Sequence, residues 1–365
     1  GELRVEILLT PGHTPEHICV FVHDTSQPDA PPILFSGDTL FVNSVGRPDL
    51  LGEQETQRLA VALYQTIHKK LMALDENTIV YPGHGAGSAC GKAIGNEPST
   101  TIGQEKRFNH AFRPVSQEQF VATILDGLPE PPPYFPVMKR LNKQGPPILG
   151  GIPAPVALGL DNLRAIQRGQ RKGVTLLDVR QMDAFGRVFL TGALNIGLGP
   201  SLPNWAGWAI SYNDAIALIV ADTSEVEEAV TWLIRIGLDT IAGYAVADPV
   251  AWRKSGLEID QVEQIDIHEA RKRLQAGETQ LLDVRNPDEW EIDHVPGAEH
   301  SPVGQLARGD DNSLDPAHPV AVMCATGYRS SLGTSVLAQR GFADVINVVG
   351  GMDAWRDAGL PVERG

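Results

Sequence analysis

The sequence is poor in cysteine: it has Cys19, Cys90 and Cys324 in 365 residues. Disulfide frameworks of secreted proteins use dense, even sets of cysteines, so this count argues against that class and indicates a reducing compartment such as the cytoplasm. A run of about 18 apolar residues, which a membrane-spanning helix would need, is also missing, so we expect no membrane partner. The chain opens without a basic and then apolar leader, and nothing predicts secretion.

Positive charge is scarce as well, because 30 Lys and Arg residues face 45 Asp and Glu residues, giving a net charge of −15. Proteins that bind nucleic acid need a positive surface, so we expect no nucleic-acid partner. Hydrophobic residues make up 42% of the chain and charged residues 21%, which is typical of globular proteins. At about 100–200 residues per domain, the length predicts two to four domains.

An internal repeat gives the clearest sign of how the chain is organised. Leu-Leu-Asp-Val-Arg occurs at 176–180 and again at 281–285, and Ala-Trp-Arg-x-x-Gly-Leu occurs at 251–257 and again at 354–360. Two unrelated strings recur at nearly the same offset, which makes chance a poor explanation. The sequence therefore predicts two copies of one domain, at residues 156–260 and 261–365.

Each copy is expected to be an α/β domain. Apolar strands that alternate with helices are typical of parallel sheets. In the second copy, Asp266 is the expected N-cap of a helix, and Glu269 forms a capping box with it. The predicted elements are strands at 280–284 and 320–323 and a helix at 330–339 in the second copy, and strands at 176–179 and 216–220 and a helix at 225–236 in the first.

Residues 129–155 precede the repeats and have the proline and glycine content of a linker. Tyr134, Phe135 and Ile148 are apolar, so we expect this segment to pack against a domain. Residues 1–128 form a third unit. Its predicted elements are strands at 5–9, 18–22, 33–35 and 78–81 and helices at 55–73 and 116–125, the last with a capping box of Ser116 and Gln119.

The most informative string is Cys-Ala-Thr-Gly-Tyr-Arg-Ser at 324–330, between a predicted strand and a predicted helix. A turn at this place directs backbone N–H groups inward, and the helix N-terminus adds partial positive charge, so a thiolate or persulfide at Cys324 is stabilised. Gly327 permits the tight backbone path. Arg329 adds a cation for an incoming sulfur anion. The whole candidate loop consists of Cys324, Ala325, Thr326, Gly327, Tyr328, Arg329 and Ser330.

This loop resembles that of the rhodanese family, as do Asp283-Val-Arg285, Glu289-Trp290 and the string His-Val-Pro-Gly-Ala at 294–298. The resemblance implies that Cys324 accepts a sulfane sulfur and passes it to a second nucleophile, with Asp283 and Arg285 in support. An inert buried cysteine and a phosphatase loop, which is one residue longer, are the alternatives. The first copy has no cysteine, and residues 221–228 are acidic, so it resembles an inactive rhodanese with a structural or a substrate-binding role.

Residues 1–128 contain three histidine or aspartate motifs, each after an apolar strand. They are Thr-Pro-Gly-His at 10–13, Ser-Gly-Asp-Thr at 36–39 and Tyr-Pro-Gly-His-Gly at 81–85. In this order they resemble the metallo-β-lactamase superfamily. Together with Val-Gly-Arg-Pro-Asp-Leu at 45–50 and Gly-Ser-Ala-Cys-Gly at 87–91, they resemble its persulfide dioxygenases that are fused to rhodanese domains. The expected fold is part of an αββα sandwich followed by two rhodanese-like α/β domains with parallel sheets.

That resemblance implies one Fe(II) ion, held by two histidines and one aspartate. His13 and Asp38 match two of these ligands, and His84 matches a position beside the metal or at a second metal ion. The family's His-x-His-x-Asp-His motif does not occur in this sequence, so we expect an incomplete iron site. Cys90 and Arg47 are candidates for a substrate-thiol site, although Cys90 is equally well explained as a packed loop residue.

The two resemblances together imply an enzyme that oxidises a thiol persulfide to sulfite and combines sulfite with sulfur as thiosulfate, which detoxifies sulfide. The expected partners are a low-molecular-weight thiol persulfide, thiosulfate and sulfite, and the family also forms homo-oligomers. Two alternatives stay open. One is a zinc-dependent hydrolase of the glyoxalase II type, and the other is a non-catalytic persulfide sensor or sulfur relay.

Overall fold

The computed structural model describes residues 2–86, 88, 90–92, 94–128, 130–310 and 314–364. It divides the chain into two compact units, Gly1–Pro131 and Pro132–Gly365. Some residues of the predicted segments lie outside the described part, namely Gly1, Gly87, Ala89, Pro129 and Gly365.

The first unit is built on one mixed sheet. Its strands are β1 (Leu3–Leu9), β2 (Ile18–Asp24), β3 (Ile33–Gly37), β4 (Leu40–Phe41), β5 (Ser44–Val45), β6 (Ile79–Pro82) and β7 (Thr100–Thr101). The sheet has the order β1-β2-β3-β6-β7, and only β3 and β6 are parallel within it. Strands β4 and β5 form a separate ribbon. The helices are α1 (Glu53–Lys69), α2 (Ile102–Phe108) and α3 (Gln117–Leu125).

The two faces of this sheet differ because side chains alternate along each strand. Cys19, Leu34 and Val80 point to one face and form a core with residues of α1 and α3. Large apolar side chains are exposed on the sheet, at Leu3, Val5, Ile7, Leu9, Ile18, Phe35 and Tyr81. The strands predicted for this unit are present, as β1, β2, β3 and β6. The capping box of Ser116 and Gln119 at the start of α3 is confirmed.

One helix of the first unit is shorter than predicted. The expected helix at 55–73 ends at Lys69, and a 3-10 turn, Leu71–Ala73, follows it. The break turns the chain so that Leu71 is fully buried in the core.

The predicted linker contains a helix, α4 (Phe135–Gln144). Tyr134 and Met138 pack against the core of the second unit, and the Tyr134 hydroxyl donates to Asn204 Oδ1 at 3.2 Å. The prediction that Ile148 packs as well is wrong, because Ile148 is 99% exposed. Gly145 and the two prolines after it end the helix before this residue, so its side chain is not carried on the packed face.

The first copy of the repeat has a parallel sheet of order β10-β8-β11-β12. Its elements are α5 (Leu160–Gln167), β8 (Val174–Asp178), α6 (Met182–Arg187), β9 (Phe189–Leu190), β10 (Leu194–Asn195), α7 (Leu202–Ala209), β11 (Ala215–Val220), α8 (Val226–Ile234), β12 (Ile241–Val246), α9 (Pro249–Ser255) and β13 (Ile259–Asp260), with β9 and β13 paired as an antiparallel ribbon.

The second copy has a parallel sheet of order β14-β18-β17-β15-β16. Its elements are β14 (Glu263–Ile265), α10 (Ile267–Gln275), β15 (Gln280–Asp283), α11 (Pro287–Ile292), β16 (Glu299–His300), α12 (Val303–Arg308), β17 (Val320–Met323), α13 (Tyr328–Gln339), β18 (Val345–Val348) and α14 (Gly351–Asp357). The predicted α/β class with parallel sheets is confirmed.

Two local predictions for the second copy need correction. Helix α13 begins at Tyr328, two residues before the predicted start. Asp266 caps α10 as expected, but the Glu269 carboxylate does not return to the cap, because it pairs with Arg273 Nε at 2.9 Å.

The two copies share one hydrophobic core, in which Leu177 and Leu218 of the first copy belong to the same cluster as Val322 and Leu332 of the second. This core places α13, the helix that follows the cysteine loop, between the two copies. In the part of the chain that the structure describes, no helix has the length and apolar character that crossing a membrane requires.

Candidate sulfur-transfer loop and metal centre

The loop around Cys324 has the geometry of an anion site. The cysteine directly follows β17 and is 1% exposed. The Gly327 N–H donates to Cys324 Sγ at 3.1 Å, and Ser330 Oγ lies 3.5 Å from the same sulfur. Gly327 has φ +113°, a conformation that side-chain-bearing residues rarely adopt. Negative charge on the sulfur is therefore met by a backbone donor at the start of a twelve-residue helix.

A second turn, at Gly350 and Gly351 at the start of α14, contacts the backbone carbonyls of this loop. The N–H groups of Gly350, Met352 and Asp353 donate to the carbonyl oxygens of Thr326, Cys324 and Ala325 at 3.2, 2.8 and 3.0 Å. A carbonyl and the N–H of the next residue point in opposite directions across a planar peptide. Fixing the Thr326 carbonyl therefore helps to orient the next N–H, that of Gly327, which donates to Cys324 Sγ.

Gly351 is required for this close approach. It has φ +54°, and a Cβ atom on it would lie 2.1 Å from the Cys324 carbonyl oxygen. Sequence analysis missed this turn, although the Gly-Gly pair ahead of the Ala-Trp-Arg repeat string was the available signal.

The sequence predicts that the guanidinium of Arg329 is available to an incoming sulfur anion. In the structure this guanidinium is paired instead. It forms a bidentate ion pair with Glu289, with N–O distances of 2.5 and 2.7 Å. Burial favours the neutral acid, but the hydrogen bond and charge of Arg329 outweigh it and lower the pKa of Glu289. Arg329 thus joins α11 to the sulfur loop, and its charge is already matched in this conformation.

Loss of the Glu289 charge is expected to destabilise the protein and to remove part of its acid sensitivity. The side chains of Arg329 and Glu289 are only 14% and 30% exposed, so Glu289→Gln is expected to cost about 1–3 kcal/mol of unfolding free energy at neutral pH. Since the folded-state pKa is lowered, the contribution is complete above the unfolded pKa of about 4.3 and is lost as the pH falls through the folded value.

The measurement is urea unfolding between neutral and acid pH. Wild type should lose more unfolding free energy on acidification than Glu289→Gln does. Asp288→Asn, an exposed neighbour on the same turn, serves as the control. Parallel acid profiles for wild type and Glu289→Gln would contradict the ion pair.

Asp283 and Arg285 form an ion pair in the core of the second copy. Arg285 donates to both Asp283 oxygens, at 3.0 and 2.7 Å, and both side chains are 1% exposed. The first copy repeats this arrangement with Arg180 and Asp178, at 2.9 and 2.6 Å. The repeated Asp-Val-Arg string therefore encodes a buried structural ion pair in both copies.

The first copy's loop has carboxylates where the second copy has Cys324. Ala221 follows β11 as Cys324 follows β17, and the Ala221 N–H donates to Glu225 Oε2 at 2.8 Å. The Asp222 carboxylate accepts from Ser224 N at 2.8 Å. Pro249, which has no N–H, stands where Met352 donates in the second copy. This loop satisfies its own donors and has no group to carry sulfur.

The second candidate site gathers around Asp38 in the first unit. His13 comes from the connection between β1 and β2, Asp38 follows β3, and His84 follows β6. Asp38 Oδ2 lies 3.5 Å from His13 Nε2, and Asp38 Oδ1 lies 3.2 Å from His84 Nε2. Tetrahedral bonds of about 2.0–2.1 Å to zinc require donor separations of about 3.3 Å, and each of these two contacts is close to that value. The contacts involve different oxygens of Asp38, and among the described residues the group whose ligand atoms all lie within 4.8 Å of one another is Asp38, His84 and Cys90, without His13.

Neighbouring groups orient these donors. His13 Nδ1 contacts the Arg47 carbonyl oxygen at 3.0 Å, which leaves Nε2 to face Asp38. His17 Nε2 accepts from the Asp38 N–H at 3.0 Å, and its Nδ1 contacts Thr39 Oγ1 at 2.7 Å. Such outer partners fix the ring orientation that a metal ligand needs.

The two histidines of this cluster differ in their protonation. Burial lowers the pKa of His13, which keeps the ring neutral, as a ligand must be. Burial opposes the charge on Asp38, but hydrogen bonding to His84 and the nearby histidine charges lower its pKa. Hydrogen bonds to Asp38 and Cys90 raise the pKa of His84 to about 10. At neutral pH His84 is therefore protonated and pairs with Asp38, so metal binding at His84 would have to release this proton.

Of the two residues predicted for a substrate-thiol site, Cys90 lies in the cluster with its side chain, whereas the side chain of Arg47 is buried in an ion pair. Ligand atoms of Cys90, Asp38 and His84 all lie within 4.8 Å of one another, so Cys90 adds a sulfur donor to the cluster. Arg47 is only 2% exposed, and its guanidinium pairs with Asp49 at 2.7 and 2.6 Å. Arg47 contributes to the cluster through its backbone carbonyl, which contacts His13.

Two structural classes therefore meet in one chain: a metal-binding α/β domain and a tandem α/β module with a cysteine anion loop. A family model for the metallo-β-lactamase superfamily matches residues 1–84, and one for the rhodanese-like domain matches residues 266–358. The crystal structure of a metallo-β-lactamase from Staphylococcus aureus is 31% identical, covers 68% of each chain and superposes with a TM-score of 0.58. The chain belongs to the metallo-β-lactamase superfamily and carries a C-terminal rhodanese-like domain.

Curated relatives match shorter parts of the chain. An uncharacterised protein of Mycobacterium leprae is 38% identical over 109 residues, which are 30% of this chain and 40% of the relative. A probable metallo-hydrolase of Bacillus subtilis is 41% identical over 86 residues, which are 23% of this chain and 35% of the relative. The chain thus spans about two fifths of these relatives' length. At the level of the family, the matches indicate sulfur metabolism, a sulfurtransferase-type enzyme and a metal-binding fold.

Proposed function

We propose that this chain is a rhodanese-type sulfurtransferase in which Cys324 carries the sulfur. The observation that supports it most is the Gly327 N–H directed at Cys324 Sγ in a loop whose carbonyls are held outward. A loop with inward N–H groups stabilises an anion at its centre, and a terminal persulfide is such an anion. The carboxylates in the loop of the first copy support placing this chemistry in the second copy alone.

The reaction has two displacements. The Cys324 thiolate attacks the outer sulfur of thiosulfate, a sulfur–sulfur bond forms, and the bond to the other sulfur breaks with its electron pair, releasing sulfite. The Cys324 persulfide is then attacked at its terminal sulfur by a thiolate acceptor, which leaves with that sulfur and restores the Cys324 thiolate. The loop N–H groups hold the negative charge between the two steps.

Sulfite release from thiosulfate, in the presence of a small thiol acceptor, tests this function. Turnover with the purified chain is the expected result. Stable sulfur loading at Cys324 without turnover would instead support the sensor or relay alternative.

For the first unit we propose an incomplete mononuclear metal centre, with His13 and Asp38 as two of its ligands and His84 beside the metal or at a second metal ion. When bound, Fe(II) would supply oxygen activation, and the whole protein would convert a thiol persulfide, O2 and water to thiol, sulfite and two protons. Sulfite plus a second persulfide then gives thiosulfate and thiol. The donor separations around Asp38 support the site, and its mixed nitrogen and oxygen donors suit iron or zinc.

Loss of Asp38 is expected to remove metal binding. An outer-shell change typically costs 10–100-fold in affinity, so Asp38→Asn should lower affinity for Co(II) or Fe(II) by more than about a hundredfold. Isothermal titration measures this directly. Asp24→Asn is the matched control, because that carboxylate lies at the end of β2 and bonds to Ser26 and Gln27. Equal affinities in wild type and Asp38→Asn would contradict the centre.

A Co(II) titration followed by absorption spectroscopy separates the alternatives for the ion and for Cys90. A thiolate-to-cobalt charge-transfer band that Cys90→Ser removes would identify the sulfur as a ligand. An unchanged spectrum would show that Cys90 is not a ligand and would favour its role in the substrate-thiol site. Oxygen uptake with sulfite formation from glutathione persulfide supports the dioxygenase, whereas thioester hydrolysis with zinc supports the glyoxalase II-like alternative.

A further inference from the structure

Helix α13, which follows the sulfur loop, is held on one side by the first copy. The Tyr328 hydroxyl donates to the Gly197 carbonyl at 2.7 Å, and Ser331 Oγ donates to Asn195 Oδ1 at 2.5 Å. At the far end of the helix, Gln339 Nε2 donates to the Gly192 carbonyl at 2.7 Å. The inactive copy therefore contacts α13 from its first residue to its last.

Two contacts reach the loop itself. Met182 lies against Gly327: a Cβ atom on that glycine would be 2.9 Å from the methionine sulfur. The Tyr328 ring lies against Gly197: a Cβ atom on that glycine would be 3.1 Å from the ring. Gly327 is the residue whose N–H donates to Cys324 Sγ, and Tyr328 is the next residue along the chain. The first copy thus touches the donor residue and its neighbour.

We propose that the first copy is a positioning element of the sulfur site, in which Gly197 holds Tyr328, and Met182 covers Gly327, so that the Gly327 N–H stays directed at Cys324. This inference rests on the proposed sulfurtransferase function and gives a role to the copy that lacks a cysteine. Tyr328 and Met182 are positioning residues, since they act on the reacting sulfur through the Gly327 peptide.

The chemistry of Tyr328 agrees with this role. Burial raises the pKa of Tyr328 well above its usual value, so its hydroxyl remains protonated and can donate to the Gly197 carbonyl. The phenol ring fills the space beside Gly197, which leaves no room there for a side chain. Removal of the hydroxyl alone therefore frees the loop on one side without opening a cavity.

Tyr328→Phe in the full chain tests the proposal. Sulfite release is expected to fall by about threefold to tenfold, the equivalent of one ordinary hydrogen bond, with KM for thiosulfate nearly unchanged. The rate at which iodoacetamide modifies Cys324, followed by mass spectrometry of its peptide, should rise with pH over a more alkaline range than in wild type. Met182→Ala should act in the same direction, and Met182→Leu, which keeps the bulk, should restore most of the wild-type behaviour.

Gln339→Ala is the matched control, because it also removes a hydrogen bond from α13 to a carbonyl of the first copy, but far from the loop. It should leave turnover and the alkylation profile unchanged. The proposal is overturned if Tyr328→Phe keeps the wild-type alkylation profile, or if Gln339→Ala changes both readouts to the same extent. The alkylation readout needs no sulfur transfer, so an altered profile in a protein without turnover would support positioning and contradict the proposed function.

Discussion

Cys324→Ser is expected to abolish sulfur transfer. A serine hydroxyl cannot form a persulfide, so no sulfur can be held between the two displacements, and sulfite release should fall by at least about a thousandfold, as for the loss of other enzymatic nucleophiles. The fold should be retained, because the two side chains are similar in size and the neighbouring Gly327 N–H and Ser330 hydroxyl can bond to oxygen as they do to sulfur.

The control is Cys19→Ala, which removes a buried thiol from the sheet of the first unit. Its Sγ contacts Thr10 Oγ1 and the Ser36 carbonyl oxygen within the first unit. Sulfite release should equal that of wild type. Turnover that survives Cys324→Ser, or that disappears with Cys19→Ala, would show that sulfur is carried elsewhere.

Gly351→Ala is expected to disable the same loop without touching the cysteine. The new Cβ would lie 2.1 Å from the Cys324 carbonyl oxygen, and the φ of +54° disfavours alanine. The turn must move away, and a displacement of about 1 Å at a catalytic group can lower the rate by about a hundredfold. Sulfite release should fall by that order, and the unfolding free energy should also decrease.

Gly359→Ala separates the effect of the clash with the loop from the effect of the unfavourable φ. Gly359 follows the same helix and has a similar φ of +64°, but a Cβ there meets nothing within 4 Å. Gly359→Ala should lower the unfolding free energy only by the backbone penalty of about 1–2 kcal/mol, and it should leave turnover unchanged. If Gly351→Ala and Gly359→Ala were equally active, the turn at 350–351 would have no part in shaping the loop.

Features that lie close together in sequence could be predicted. The strand, the cysteine loop and the helix occupy residues 320–339 without interruption, so apolar pattern and motif together locate Cys324 at a helix N-terminus. The three metal-type motifs each follow a strand, and a sheet brings the ends of its strands together. In the structure Asp38 lies beside both His13 and His84.

Partners that are distant in sequence could not be predicted. Arg329 was expected to face a substrate anion, but its choice of Glu289, 40 residues away, depends on where α11 packs. The bond of Tyr328 to Gly197 spans 131 residues and exists only because two copies share a core. Local patterns carry no information on these pairings, since each residue type has many acceptable partners.

The most direct test of the account is the mass of the Cys324 peptide. The chain is incubated with thiosulfate, blocked with iodoacetamide, digested without reductant and examined by mass spectrometry. One extra sulfur atom on Cys324, absent from Cys19 and lost after addition of a thiol acceptor, is the predicted result. A Cys324 peptide that never gains sulfur, in a protein that still releases sulfite, would contradict it.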